Sequence, residues 1–516
     1  MRPNLLLITA DQWRGDSLGA AGHAVVQTPA LDGLARRGVR FARHYAGAVP
    51  CSPARACLYT GLYQMTNRVV RNGTPLDARH DTLAKMLRRG GYDPTLFGYT
   101  DQTVDPRTAE GDDPRLRTYE GILPGFTVRM RLPEDAAPWL AWLQRRGVAV
   151  PARGADIWLP AGGGGPEPGR AAPVYGADDT ETAFLTDLFL DWLEEQRFSD
   201  RPADHKPWCA HLSFIRPHPP FVVPAPFNTL YDAAAGPAFA RAATAEQDAA
   251  VHPLVAMVLQ TATRGHFLPG AGAGLVSSWS DAAFRTIRAL YWGMISEVDR
   301  QIGRVLAGLE AAGMAGNTVI MFSADHGEMM GDHWSLGKYG YFDGSYHIPL
   351  IVADPRRPEA HGTGVEAFTE AVDVMPTLAA LAGLRAPGHL DGQSLLPFLD
   401  GAAAVPGWRE EAHFEFDFRD VAGGRSHRLT GVGLDEASLA VLRGRRFKYV
   451  AFAGLKPLLF DLEADPAETA DVAGDPAFRA VRLEMAEKML AWRARHLDRC
   501  LTGLEMTAAG VVDARA

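Results

Sequence analysis

Three short stretches carry residues that could do chemistry. In VPCSPARACLYTG (49–61) a cysteine stands two residues before Pro53 and four before Arg55. Proline suits a first helical turn, where its missing N–H would be unsatisfied anyway, so Cys51 falls near an N-cap. A helix N-terminus offers free N–H groups and positive potential to an anion, and Arg55, one turn along, would add a charge-assisted fork to the same oxyanion. The other two stretches are ITADQW, where Asp11 and Gln12 follow a short apolar run, and MFSADHGEMMGDH, where Asp325 and His326 follow another. Two strand-end acids with an adjacent histidine make a cation site if their strands are neighbours. Taken singly, each has an ordinary explanation: a strand-end Asp usually caps or turns, and a cysteine beside an arginine usually packs.

The elements that must position these residues alternate between short apolar runs and longer helical patterns. That is the signature of an α/β fold with a mostly parallel central sheet flanked by helices. Strands are expected at Asn4–Thr9, Thr95–Gly98, Trp208–Ile215, Thr318–Ser323 and Pro349–Ala353. From Asp281 to Glu310, apolar residues recur every three or four positions, which predicts an amphipathic helix on the sheet. The Pro/Gly-rich 160–176 and the alanine-rich 232–251 read as insertions over the sheet edge. After DGQSLLPFLDG (391–401) the pattern changes to EEAHFEFDFRD, RRFKYVAF and LLFDLE, then a long helix from about Pro476 to His496. This gives a catalytic domain over 1–400 and a smaller α+β domain over 401–516. In such sheets chemistry gathers at the carboxyl ends of the strands, where all three stretches fall.

Composition narrows the class. Among 516 residues, 52 are Lys or Arg and 61 Asp or Glu, a net charge of −9, and basic doublets such as Arg36–Arg37 are scattered. A nucleic-acid partner is therefore not expected. The four cysteines form no CxxC pair or spaced framework, which points to a reducing, cytoplasmic setting without disulfides. The N-terminal apolar run leads straight into Asp11 with no small-residue cleavage site, so it reads as a first strand rather than a signal peptide. No stretch approaches the ~20 apolar residues of a membrane span.

CSPAR matches the CxPxR signature read by the formylglycine-generating enzyme, and with LYTG it resembles the sulfatase group of the alkaline phosphatase superfamily. DQWRGDSL, NGTPLDARH, GYDPTLFGYTDQTVDPR, FIRPHPPFVVPAPF, SADHGEMMGDHWSLGKYGYFD, DVMPTLAALAG and HFEFDFRDV extend the match. Together they resemble the phosphonate monoester hydrolase branch, in order, nearly to the C-terminus.

The resemblance implies the following. Cys51 corresponds to the cysteine oxidised to formylglycine, whose hydrate supplies the nucleophile for in-line attack on phosphorus. Asp11, Asp325, His326 and the modified residue 51 correspond to the ligands of one divalent ion. A histidine where many sulfatases have asparagine favours Mn²⁺, with Ca²⁺, Fe²⁺ or Zn²⁺ as alternatives. Arg55, Lys338 and His218 correspond to catalytic groups, and Gln12, Asn72 and Tyr99 to pocket positions. His218 lies in RPHPPF, whose prolines would stiffen its loop. Asp101 departs from the branch, which usually has threonine there; a carboxylate facing an anion would repel it, so it either points away or marks altered specificity. The branch also implies a homo-oligomer, here expected to be a tetramer, and Leu483, Met485, Met489, Leu490 and Trp492 of the terminal helix would serve either its interface or closure of the small domain.

Three rival functions remain open on sequence. An arylsulfatase would use the same site on sulfate monoesters. A noncatalytic anion-binding protein would leave Cys51 unmodified. A serine-type phosphatase would use Ser52. The expected substrates are small phosphonate, phosphate or sulfate esters, with the formylglycine-generating enzyme as a maturation partner.

Overall fold

The computed structural model describes residues 2–161, 163–198, 207–508 and 510–513. The opening strand, Asn4–Ala10, lies at the centre of the main sheet and is buried throughout. Its side chains alternate between two cores, as the two-residue repeat of a strand dictates. Leu6, Ile8 and Ala10 face one core, and Leu5 and Leu7 face the other. On the first face lie Asp281–Ala311, Glu181–Phe198 and Pro29–Arg36; on the second lie Cys51–Thr60, Leu83–Arg89 and Val374–Leu381. Ser280 caps the long Asp281–Ala311 helix by accepting the Ala283 N–H.

Across the sheet the strands run Thr363–Glu370, Val39–Tyr45, Leu350–Ala353, Thr318–Ala324, Asn4–Ala10, Cys209–Phe214, Pro94–Gly98 and Thr127–Arg131, with His347–Ile348 paired to Val39–Tyr45. Most neighbours are parallel, as expected, but Leu350–Ala353 runs against both of its partners. All five expected strands are present within a residue or two. Besides the two-residue His347–Ile348, three others were not anticipated: Val39–Tyr45, Thr127–Arg131 and Thr363–Glu370. Their exposed or half-exposed stretches carry arginine, threonine and glutamate, so none reads as a continuous apolar run.

The register answers whether the two acidic strand ends meet. Asn4–Ala10 pairs in parallel with Thr318–Ala324, and Ala10 lies opposite Ala324. Asp11 and Asp325 therefore leave adjacent strands side by side.

A second sheet runs Leu458–Asp461, Phe447–Phe452, Ser438–Arg443, Ala412–Asp417 and Ala48–Val49. Its last, two-residue strand comes from the segment just before Cys51, with Ala48 paired to Glu415 and Val49 to Phe416. The small sheet thus anchors the entry to the helix that carries Cys51. The terminal helix, Arg479–Arg495, covers this sheet with Met485, Met489 and Trp492, while Leu483 and Leu490 are exposed. Trp492 stacks on His413 at 4.4 Å. Within 232–251 the chain forms the helix Ala245–Val251, and the described residues of 160–176 contain no helix or strand. A hairpin of Leu504–Thr507 and Gly510–Asp513 ends the chain. No helix among the described residues is long and apolar enough to cross a membrane.

Candidate active site

Cys51 opens a ten-residue helix, Cys51–Thr60, every residue of which is buried. Pro53 sits in its first turn as expected, and the cap position is Pro50, which offers no side-chain acceptor. One freed N–H, that of Ser52, is taken by Asn72 Oδ1 at 2.9 Å. Asn72 therefore acts on the helix start. Gly61 closes the other end at φ 65°, where a side chain would be strained, and its N–H returns to the Cys57 carbonyl. Cys57 itself is buried packing.

Four side chains converge on one point. One ligand atom each from Asp11, Cys51, Asp325 and His326 lies within 4.8 Å of the other three, and all four residues are buried. His326 Nδ1 faces the Gly327 carbonyl at 3.1 Å, and a carbonyl only accepts. The proton therefore sits on Nδ1 and leaves the Nε2 lone pair aimed at Cys51 Sγ, 3.4 Å away, and at Asp11 Oδ1, 3.5 Å away. Asp11 Oδ1 is buried and finds no hydrogen-bond partner among the described residues. An orphaned carboxylate oxygen beside an imidazole lone pair fits a divalent cation, which would satisfy both.

Arg55 fixes the two acids. Its Nε donates to Asp325 Oδ2 at 2.9 Å, Nη2 to Asp11 Oδ2 at 3.3 Å and Nη1 to Ser213 Oγ at 3.0 Å. Its guanidinium lies 4.2 Å from the centre of the Tyr99 ring, and the Tyr99 hydroxyl donates to Asp11 Oδ2 at 2.6 Å. Arg55 and Tyr99 thus hold Asp11 by Oδ2, the oxygen opposite the orphaned one, and Arg55 also holds Asp325 by Oδ2. The Tyr99 loop begins at Gly98, at φ 112°, where a Cβ would lie 2.2 Å from the Ser213 carbonyl oxygen. Only glycine lets this strand end pass its neighbour.

Lys338 is buried and donates to Gln12 Oε1 at 2.6 Å; Gln12 Nε2 in turn donates to Glu328. Gln12 holds a left-handed backbone, φ 68°, while its N–H bonds Asp325 Oδ1 at 3.1 Å. Strain of this kind persists where surrounding bonds over-determine a residue. Glu328 Oε1 also accepts the N–H groups of Met330 and Gly337, which positions the loop that carries Lys338. Sequence reasoning missed Glu328 and Ser213; the acid two residues after His326 was the only available signal for the first. His218 is half-buried, and its Nδ1 donates to the Pro219 carbonyl at 2.8 Å, so Nε2 is again the open nitrogen.

Burial and charge set the protonation states. Burial pushes Asp11 up, but His218, His326, Arg55 and Lys338 outweigh it and hold the carboxyl well below the usual range. Burial and then the negative Asp11 push Asp325 up to about 7, against the pull of Arg55. Burial and the Lys338 ammonium bring His326 and His218 down to about 3, so both are neutral. Burial opposes the Lys338 charge, yet the surrounding anions raise it above the ordinary lysine value. Asp101 is buried at φ 50° and makes no side-chain hydrogen bond among the described residues. Burial, reinforced by Asp11 and Asp325 against Arg55, pushes it up to about 8. It sits close enough for its charge to act on Cys51. The Ser52 hydroxyl, by contrast, is buried with no partner among the described residues.

Known proteins resemble this chain over nearly its whole length. The sulfatase family model matches residues 3–384, and the model for the C-terminal part of N-sulphoglucosamine sulphohydrolase matches 331–495. The multifunctional alkaline phosphatase superfamily protein PehA of Trinickia caryophylli is 41% identical over 99% of both chains. A phosphonate monoester hydrolase structure from Agrobacterium radiobacter is 52% identical, with a TM-score of 0.95 over 99% of both chains. One from Silicibacter pomeroyi is 39% identical, with a TM-score of 0.91 over 100% of this chain and 99% of that one. The chain belongs to the sulfatase family of the alkaline phosphatase superfamily.

Proposed function

We propose that the protein is a metal-dependent hydrolase that cleaves phosphonate monoesters and phosphodiesters through a formylglycine formed from Cys51, with sulfate-ester hydrolysis as a side activity. The observation that carries this is the convergence of Asp11, Asp325 and His326 on Cys51 at a helix N-terminus. Two full-length relatives named as phosphonate monoester hydrolases support the substrate class. Family membership supports the sulfate ester, and arylsulfatase is accordingly the second reading.

Asp11, Asp325, His326 and residue 51 would hold the ion, and the nitrogen donor supports Mn²⁺ over Ca²⁺. When bound, it would supply Lewis acidity to the ester oxygens and ease deprotonation of a hydroxyl on residue 51. As formylglycine hydrate, residue 51 offers one hydroxyl for attack and a second through which the ester adduct is released. Arg55 fixes the carboxylates, and Lys338 sets its positive charge against oxygens that become negative as the ester breaks. His218, neutral with an open Nε2, suits a proton acceptor for the residue 51 hydroxyls. Asn72 and Tyr99 hold Ser52 and Asp11 in place, and Gln12 holds Lys338.

All ten residues of the Cys51 helix are buried, so the formylglycine-generating enzyme would have to meet this segment before it folds. The division into a catalytic 1–400 and a smaller 401–516 belongs to the same proposal. So do a homotetramer, for which the exposed Leu483 and Leu490 are available, and a cytoplasmic setting, consistent with four unpaired cysteines. Comparing kcat/KM for an aryl phenylphosphonate and an aryl sulfate of the same phenol tests the substrate class. A higher value for the phosphonate supports the proposal, and a higher value for the sulfate favours the arylsulfatase.

A further inference from the structure

Beside the metal-ligand cluster lies a cavity of about 460 Å³ that the chemistry above leaves unused. Its inner end touches the catalytic segments at Pro50, next to Cys51, at Asn72, and at Tyr339, next to Lys338. His266, on its wall, is held below its ordinary value by burial and by the charge of Lys338, which places the two within electrostatic reach. Apolar and aromatic side chains line the body: Met257, Val258 and Phe267 from one segment, Phe416 and Phe418 from the small sheet. A cavity of this size and lining suits an aromatic group rather than a methyl or a bare ion.

The outer rim is charged, and most of its charge is already matched. Arg419 Nε bonds Asp417 at 2.8 Å. Arg71 lies 3.8 Å from Asp420 and also donates to the Arg419 carbonyl. Asp420 accepts the N–H groups of Gly423 and Arg425, which fixes the turn that presents the next helix, Arg425–Thr430. Arg425 also lines the cavity; it is exposed, its charge is felt by Asp420, and its side chain makes no ion pair or hydrogen bond among the described residues. Of the residues lining the rim, three are arginines and two aspartates, and Arg419 also reaches Asp435 at 3.7 Å, so Arg425 is the arginine left without an ion pair among the described residues, at the end of the cavity away from Lys338.

We propose that this cavity binds the departing alcohol of the ester, and that it is built for an aromatic alcohol bearing an anionic substituent, such as a carboxylate, which Arg425 grips. The inference rests on the hydrolase reading, in which Lys338 faces the departing oxygen. An alcohol leaving past Lys338 would meet Tyr339 and His266, then the Phe416 and Phe418 wall, then Arg425. A charge-assisted fork to a carboxylate is the interaction a free guanidinium offers best.

The test compares two aryl phenylphosphonates whose phenols are matched for acidity, one with a carboxylate on the phenol and one uncharged. Steady-state kcat/KM is measured for the full-length, formylglycine-bearing, Mn²⁺-loaded protein and for Arg425→Ala and Arg425→Glu. The wild type should favour the carboxylated ester, and added salt should weaken that preference. The charged-to-uncharged ratio should fall about tenfold in Arg425→Ala, the scale of one charge-assisted hydrogen bond, and further in Arg425→Glu. A ratio unchanged in both variants overturns the inference while the hydrolase reading stands. Failure of the wild type to hydrolyse the uncharged ester refutes the hydrolase reading, and this inference with it.

Discussion

Lys338 donates to Gln12 Oε1 at 2.6 Å, and the other side of the same amide donates to Glu328. One glutamine therefore links the buried ammonium to the buried acid that holds its loop. Gln12→Gly removes the side chain yet keeps the left-handed backbone at no steric cost. The expected outcome is a drop in kcat/KM of about 10- to 100-fold, the worth of a hydrogen bond to a charged group. The melting temperature should fall as well, because relief of backbone strain only partly offsets two lost buried bonds. Steady-state kinetics and calorimetry on the same preparation check both.

Asp101 gives a pH prediction. Its folded value of about 8 exceeds the ~3.9 of an unfolded chain, so the folded state holds a proton that the unfolded state has released. The stability this proton contributes is present at low pH and is lost as pH rises from about 4 through 8. Asp101→Asn should therefore raise the melting temperature at pH 9 and leave it nearly unchanged at pH 4. It should also flatten any fall in kcat/KM above pH 8, where a carboxylate would begin to repel the anionic ester. Melting curves and pH–rate profiles of the two proteins decide it.

Arg55 is buried and serves both acids. Arg55→Ala leaves two carboxylates without their shared partner, and removing one side of a buried charge pair costs about 3–5 kcal/mol. The variant should unfold at a lower denaturant concentration and retain less bound metal by elemental analysis. Arg55→Lys keeps the charge without the three-way fork and should fall between the two.

Metal removal should be reversible and pH-dependent. Chelation should abolish ester hydrolysis, and Mn²⁺ should restore it. Asp325 is pushed up to about 7 in the absence of an ion, so below that pH a proton competes with the metal. The rise in melting temperature on adding Mn²⁺ to chelated protein should be larger at pH 8 than at pH 5.5.

The strand ends that carry Asp11 and Asp325 were readable because buried parallel strands are continuous apolar runs. Their adjacency was not, because strand pairing between residues more than three hundred apart leaves no local mark. The register of Ala10 against Ala324 supplies it. Tyr99 could as well have been core, and only its hydroxyl on Asp11 assigns it to the site. Asn72 was expected as a pocket residue, and the structure adds that its Oδ1 takes the Ser52 N–H at the start of the helix. Ala48–Val49 is too short to read as a strand, yet it ties the small sheet to the Cys51 helix. The cavity that ends at Arg425 joins residues from five separate segments, and no spacing in the sequence could announce it.

The central claim is that residue 51 works as formylglycine and not as a thiol. Mass spectrometry of the peptide covering residues 44–55, from protein made in its own cell, tests it most directly when the same sample is assayed on an aryl phenylphosphonate. The account predicts formylglycine at position 51, activity that scales with the modified fraction, its loss in Cys51→Ala and its retention in Ser52→Ala. Full activity in protein that carries only unmodified cysteine would contradict it.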